Sequence, residues 1–313
     1  MFRMKKLFKK RICAISFCAA FVVALAVSVL PILAGDPVNK PNMVRVKDEV
    51  EKVMIYSLPN DNKQETGLYV YSGEVYELFG VYETGFCGIY YFDGTGNKKV
   101  GYCYSSNFIR CATKLGIDVS HYQGNIDWED VASDKVDNKH SVDYAMIKVG
   151  QTSSVASRVA FMDSKFVEYI EGATNNGIAA GVYFYSKATT AEQAKSEAQW
   201  VIDKIKDYNI TMPVAFDYED KCTLSLSDSS RTEICKAFVD TVEASGYECV
   251  LYSYQSYLEN NLQLSEIQPN YDFWAARYSK TLPTFTNTKM WQFTDCGTVD
   301  GIKGNVDLNW SFY

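Results

Sequence analysis

Histidine is nearly absent: His121 and His140 are the only two in 313 residues. No two cysteines stand in C-x-x-C spacing. A structural or catalytic zinc site is therefore not expected. No glycine-rich loop of the kind that cradles phosphate follows a β-prone run, which argues against nucleotide chemistry. The G-x-S-x-G turn that lifts a serine nucleophile is missing as well. No cofactor and no metal are expected.

Positive charge is scarce and concentrated at one end. The chain carries a formal charge of −7, yet Arg3, Lys5, Lys6, Lys9, Lys10 and Arg11 open it, and Ile12 to Ala34 then carries no charge at all. Residues 1–34 read as a secretory signal or a membrane anchor. The apolar run is long enough to span a bilayer. Pro31 and the small Ala34-Gly35 pair allow cleavage after Ala34, and secretion is the favoured reading. Phe17 before Cys18 is too bulky for a lipoprotein cleavage site. Without residues 1–34 the six positive charges go and the charge falls from −7 to −13. So acidic a body argues against nucleic acid as a partner. Of nine cysteines, seven remain: Cys87, Cys103, Cys111, Cys222, Cys235, Cys249 and Cys296. Disulfides are possible outside the cell. The odd number leaves at least one thiol free, and the pairing stays open.

What is present is a large core and many aromatics, with 47% apolar residues, 23 tyrosines and five tryptophans. The length suits a large domain plus a small one. Residues 35–52, polar with Pro37 and Pro41, read as a linker. Residues 53–112 hold short β-prone runs, Val53–Ser57, Gly67–Tyr71, Val75–Val81, Gly88–Phe92 and Lys99–Tyr104. The turn-forming stretches Pro59–Asn62 and Asp93–Asn97 separate some of them. This predicts a small all-β barrel. From Leu115 the rhythm alternates. Strands are expected at Leu115–Val119, Tyr144–Val149, Ile178–Tyr185 and Met212–Tyr218, then at Cys249–Tyr252, Phe273–Arg277, Met290–Phe293 and Val306–Trp310. Helices are expected at Ile126–Ala132, Phe161–Asn176, Thr190–Tyr208 and Arg231–Gly246. Residues 113–313 thus predict an α/β fold, an irregular TIM-like (β/α) barrel with a weakly helical second half. A monomer is expected.

One stretch organises that barrel, Met212-Pro-Val-Ala-Phe-Asp-Tyr-Glu-Asp220. It begins as a buried strand and ends in three acids within four residues. Alternation sends Asp217 and Glu219 to one side and Tyr218 to the other. Two carboxyl groups so close cannot both ionise cheaply, so one pKa should rise and supply a general acid near neutral pH. In a (β/α) barrel the site lies where the strands end. The other expected strand ends bring Asp118, Lys148, Tyr183, Tyr185, Tyr252, Trp274, Arg277, Trp291, Gln292, Asp307 and Asn309. Four acids among aromatics fit glycosidic bond cleavage: acids serve the leaving oxygen and the cationic transition state, and aromatics stack on sugars.

These pieces resemble glycoside hydrolase family 25, the Chalaropsis-type lysozymes. The resemblance covers about residues 113–313. It rests on Gly116-Ile-Asp-Val-Ser-His-Tyr-Gln-Gly124, Ile147-Lys148, Gly181-Val-Tyr-Phe-Tyr185, Asp217-Tyr-Glu219, Trp274-Ala-Ala-Arg-Tyr278, Trp291-Gln-Phe293 and Gly304-Asn-Val-Asp-Leu-Asn309. It implies an N-acetylmuramidase acting on bacterial peptidoglycan. Glu219 would be the general acid and Asp217 would orient the substrate's 2-acetamido group, with inversion through an activated water as the alternative. Asp118 and Asp307 would hold the sugar or tune Glu219. Tyr183, Tyr185, Tyr252, Lys148, Arg277 and Gln292 would line the substrate site, with Trp274 and Trp291 as sugar platforms. Lys148 is expected to pair with one of the four acids. Phe184 stands where many members carry histidine, and is expected to alter a subsite. More loosely, Tyr56-Ser-Leu-Pro59, Gly73-Glu-Val-Tyr-Glu-Leu78 and Val100–Ser106 resemble a bacterial Src-homology-3-type wall-binding module. Two other readings compete. A chitinase-like hydrolase would carry D-x-x-D-x-D-x-E, but Met212 and Ala215 break that run. A non-catalytic glycan-binding protein would be expected to have lost an acid, and all four are present.

Overall fold

A computed structural model describes residues 40–92, 97–136, 138–268, 270–284 and 287–313. The basic and apolar segment 1–34, the first residues of the expected linker and most of the expected Asp93–Asn97 turn lie outside the described residues.

The first body of the structure is a seven-stranded antiparallel sheet. Its strands are β1 (Met43–Val46), β2 (Lys52–Tyr56), β3 (Glu65–Tyr71), β4 (Val75–Val81), β5 (Phe86–Phe92), β6 (Lys98–Tyr104) and β7 (Phe108–Arg110). They lie in the order β3-β2-β6-β5-β4-β1-β7. β1 corrects the expected linker, since Met43, Val44 and Val46 are buried and pair with β4 and β7. Four residues are too few for alternation to stand out from polar surroundings. Val46, Val53, Ile55, Val70, Leu78 and Ile89 fill the interior. Met43 and Val75 instead belong to the apolar core of the second body. The Lys289 ammonium there donates to the Gly73 carbonyl at 3.1 Å, so the two bodies share packing and polar contacts.

The second body is a closed ring of eight strands. Around it run β8 (Lys114–Val119), β9 (Tyr144–Thr152), β11 (Ala179–Tyr185), β12 (Val214–Asp217), β13 (Cys249–Tyr254), β14 (Asp272–Ala276), β15 (Thr288–Gly297) and β16 (Val306–Ser311). β10 (Ala160–Met162) folds back on β9 outside the ring. Helices α1 (Trp128–Ser133), α2 (Phe166–Asn175), α3 (Ala191–Ile205) and α4 (Asp228–Glu243) follow the early strands. The short α5 (Gln255–Asn261) and α6 (Leu264–Ile267) follow β13. Among the described residues no helix separates β14, β15 and β16.

Two expectations need correction. The helix expected from Phe161 starts later, because Ala160–Met162 pairs with β9 and the Asp163 carboxylate accepts the Lys165 N–H at 2.9 Å, turning the chain before α2. The ring also departs from a parallel TIM-like barrel. Seven strands run parallel, but β16 is antiparallel to both β15 and β8. A reversed strand presents its beginning, not its end, to the mouth. That places Asp307 opposite Asp118 in the ladder.

Local sequence explains the rest. α3 begins at Thr190, whose hydroxyl accepts the Gln193 N–H, while Gln193 returns a side-chain oxygen to the Thr189 N–H. Such caps add about 1 kcal/mol. Its buried face is Ala194, Ala198, Val201 and Ile205. Alternation along β15 puts Met290 and Gln292 inside the ring and Trp291 and Phe293 outside, against the helical layer. Inside, Tyr144, Met146, Met212, Ala215, Val250, Trp274 and Met290 fill the ring. Burying one such large side chain contributes about 1.5–3 kcal/mol.

The filling is tight at Gly116. A β-carbon there would lie 2.3–2.5 Å from the buried Tyr144 ring. Gly116→Ala is therefore expected to destabilise the fold by roughly 1–3 kcal/mol. The urea midpoint measures this, and an unchanged midpoint would mean the ring interior is loose.

Candidate active site

The mouth of the ring is built around Asp118, near the end of β8. Its side chain is buried, and Oδ2 accepts from Gln292 Nε2 at 2.9 Å and from Asn309 Nδ2 at 2.8 Å. Those donors are themselves held. Asn309 accepts the Trp274 indole N–H at 2.8 Å, and Gln292 accepts the hydroxyls of Tyr252 at 2.9 Å and Tyr278 at 3.1 Å. Burial raises the Asp118 pKa, and hydrogen bonds from Asn309, Gln292 and Asp307 hold it back. Asp307 is pushed up to about 9, first by burial and then by the charge and hydrogen bond of Asp118. Asp307 therefore holds its proton at neutral pH, where it can donate to Asp118 across the ladder.

Asp217 ends β12, and Glu219 follows two residues later. Alternation holds across this step. Tyr218 points the other way, into the core, where its hydroxyl donates to the Ala188 carbonyl at 3.0 Å. Asp217 Oδ1 and Glu219 Oε2 are buried and have no hydrogen-bond partner. Burial raises Glu219 to about 7, and the charges of Asp118 and Asp220 add to the effect. Burial also raises Asp217 well above the carboxylate range, helped by Glu219 and opposed by the Lys148 ammonium. Both shifts point to the pair holding at least one proton at neutral pH. When Glu219 takes it, the repulsion at Asp217 falls away and Lys148 favours an ionised Asp217.

Lys148 donates its hydrogen bond to Gln151 at 2.7 Å and sits 5.3 Å from the Tyr185 ring centre. Its partner is thus an amide and not the expected carboxylate, although the charge of Asp217 still acts on it. Burial lowers its pKa. Tyr183 and Tyr185 are half-buried on β11. Tyr185 donates to Asp220 at 3.0 Å, and Tyr183 shares a hydrogen bond with Ser120. His121 is fixed by Asp163, which takes both its backbone N–H at 3.1 Å and its ring Nδ1 at 2.6 Å.

Four expected positions are not where a ligand contact requires them. Trp274 and Trp291 are each 1% exposed, too buried to offer a face to a sugar. Trp274 points into the ring and supports Tyr252, with ring centres 4.4 Å apart. Trp291 points out, its N–H donating to the Arg277 carbonyl at 2.8 Å. Arg277 is turned to other partners. It donates to the Leu282 carbonyl at 2.9 Å and bonds Gln255. Phe184 faces away from the mouth, packed on Trp200, so it cannot shape a subsite. Asn309, a strand-end residue to which the sequence assigns no role, anchors Asp118. Its spacing of two from Asp307 on one strand was the available signal. No group of three or more His, Cys, Asp or Glu side chains suited to a metal ion occurs among the described residues.

A closed ring of seven parallel strands and one reversed strand, with acids gathered at one mouth, is the arrangement of a glycosidase-type barrel. Residues 117–302 match the model of glycosyl hydrolases family 25, and the chain belongs to that family. It is 28% identical over 196 residues to the uncharacterized protein YegX of Escherichia coli O157:H7, covering 62% of this chain and 68% of that one. It is 27% identical over 195 residues to the autolytic lysozyme of Clostridium acetobutylicum, covering 62% of this chain and 54% of the relative. In fold it is similar to the modular autolysin LytC of Streptococcus pneumoniae, solved with a synthetic peptidoglycan ligand. The TM-score is 0.53 at 24% identity, over 71% of this chain and 56% of that one. The chain thus spans about half the length of those two lytic proteins.

The raised Glu219 carboxyl carries a stability cost with a defined sign. The folded state binds its proton more tightly than the unfolded chain, so stability falls as pH rises from the unfolded value near 4.5 through about 7. Glu219→Gln removes that cost. The variant is expected to exceed the parent by about 3 kcal/mol at pH 8 and to match it near pH 4. Denaturant titration at both pH values measures the gap. An equal gap at both would place the effect outside Glu219 ionisation.

Proposed function

We propose that the chain is a secreted peptidoglycan hydrolase of the Chalaropsis lysozyme type. It cleaves the β-1,4 bond between N-acetylmuramic acid and N-acetylglucosamine. The observation that carries this reading is the Asp217–Glu219 pair, each with one buried carboxyl oxygen that has no hydrogen-bond partner and each with its pKa raised by burial, together with the facing Asp118–Asp307 pair. The lytic relatives named above support the choice of substrate.

Glu219 gives its proton to the glycosidic oxygen as the bond breaks. Asp217, whose ionised form the Lys148 charge favours, orients the 2-acetamido group of the substrate, whose oxygen attacks the anomeric carbon, a substrate-assisted route. Asp118, held by Gln292 and Asn309, adds to the burial that keeps the Glu219 pKa high. Tyr183, Tyr185 and Tyr252 line the mouth and receive the sugar. Gln292 and Trp274 act as positioning residues behind them. Residues 53–112 are the core of a wall-binding module of the Src-homology-3 type. Its support is a run of neighbouring aromatics, with Tyr56 5.8 Å from Phe86 and 5.7 Å from Tyr104, and Tyr82 5.6 Å from Tyr102. The Lys63 ammonium stands 5.8–5.9 Å from the first three rings.

The test is peptidoglycan digestion followed by borohydride reduction and mass spectrometry. The parent chain is expected to create reduced muramic acid ends. Glu219→Gln is expected to lose at least about 100-fold in rate. The rate of the parent should fall as pH rises through about 7, as Glu219 loses the proton it must donate. Reduced glucosamine ends would move the cut to the other bond. No new ends, with wall binding intact, would make the mouth a recognition site.

A further inference from the structure

Cys87 and Cys103 stand directly opposite each other in the β5–β6 ladder. Both are thiols, and both are buried in the interior of the first sheet. The phase of the ladder is set by the Ser105 N–H, which donates to the Gly85 carbonyl at 2.9 Å. The register then runs unbroken from Phe86–Tyr104 to Phe92–Lys98. Bonded and non-bonded pairs alternate, so Cys87 and Cys103, two steps from Gly85 and Ser105, form a hydrogen-bonded pair. Such pairs hold their Cα atoms about 5.5 Å apart. That Cα separation is one a disulfide spans, while the Cβ atoms of such a pair, about 4.5–5.5 Å apart, must draw in to about 3.5–4.5 Å as the bond forms. Directly opposed side chains leave the same face of the sheet. Burial raises both thiol pKa values, and at Cys103 the charge of Cys87 adds to the rise, as neighbouring sulfurs require. No other ladder register among the described residues sets two cysteines opposite each other.

We propose that Cys87 and Cys103 are a disulfide-forming pair that staples β5 to β6. The oxidant is a second disulfide, small-molecule or carried by an exchange catalyst. The thiolate of one cysteine attacks a sulfur of that disulfide, which gives a mixed disulfide and releases one thiol. The thiolate of the other attacks the protein sulfur of the mixed disulfide and releases the second thiol. The two cysteines lose two protons and two electrons, and both end on the released thiols. Because burial disfavours the thiolates, the exchange proceeds before the sheet closes or when it opens. The staple fixes the strands that carry Phe86 and Tyr104, whose ring centres lie 4.5 Å apart.

The test does not depend on hydrolase activity. The full chain is unfolded, refolded in a buffer of reduced and oxidised glutathione, and alkylated in denaturant. It is then digested and mapped by mass spectrometry without reductant. A linked Cys87–Cys103 peptide is expected, with Cys111, Cys222, Cys235, Cys249 and Cys296 alkylated. Adding reductant should lower the melting temperature by roughly 5–10 °C. Cys103→Ser should abolish that response, and Cys235→Ser should retain it. Alkylation of both Cys87 and Cys103, or linkage of either to another cysteine, would overturn the proposal, and the parent map decides this even if a variant fails to fold.

Discussion

Four carboxyl groups are crowded into one buried mouth, and Asp118 is the group on which their arrangement depends. Two amides, on Gln292 and Asn309, aim their N–H groups at one of its oxygens. These hydrogen bonds offset part of the cost of charge there, while burial still raises the Asp118 pKa. Negative charge on Asp118 acts to raise its neighbours: Asp307 in the facing strand and Glu219 just beyond β12. The raised pKa of the candidate acid follows from burial, reinforced by this charge and by Asp220.

The closing strand makes this possible. Were β16 parallel, its mouth would carry the strand's last residues, Trp310 and Ser311. Reversal brings Asp307 to the level of Asp118, and Asn309, two residues on, to the same face. Beneath them Trp274 fills the ring and ties to Asn309. The weakly helical part of the barrel is thus also where the chain closes the ring and sets the electrostatics of the mouth.

The alternation of strands and helices, the eight barrel strands and the acids at their ends were all legible from hydrophobic pattern. So was the opposite facing of Tyr218 relative to Asp217 and Glu219, since strand period is two. The same period, carried through, separates Trp291 from Gln292 and Phe184 from Tyr183 and Tyr185, because adjacent residues cannot share a face. Trp274 is a different matter. Its phase is inward, but only the depth of its layer in the ring hides it from a ligand. Strand direction was not legible for β16, because a short run of alternating residues reads the same either way. β1 was hidden by its length. The polar tether of Lys148 to Gln151 depends on side-chain reach, which sequence spacing alone does not settle.

The central claim is that burial and the neighbouring acids lift Glu219 until it titrates near neutral pH, where it still has a proton to give. Carbon-13 labelling of the glutamate carboxyls, with Glu219 assigned through the Glu219→Gln variant, follows that proton directly by NMR as pH is varied. The account predicts an inflection for Glu219 near pH 7. An inflection near 4.5, the ordinary range of a glutamate, would mean that burial and Asp118 do not act on it, and would remove the proposed general acid.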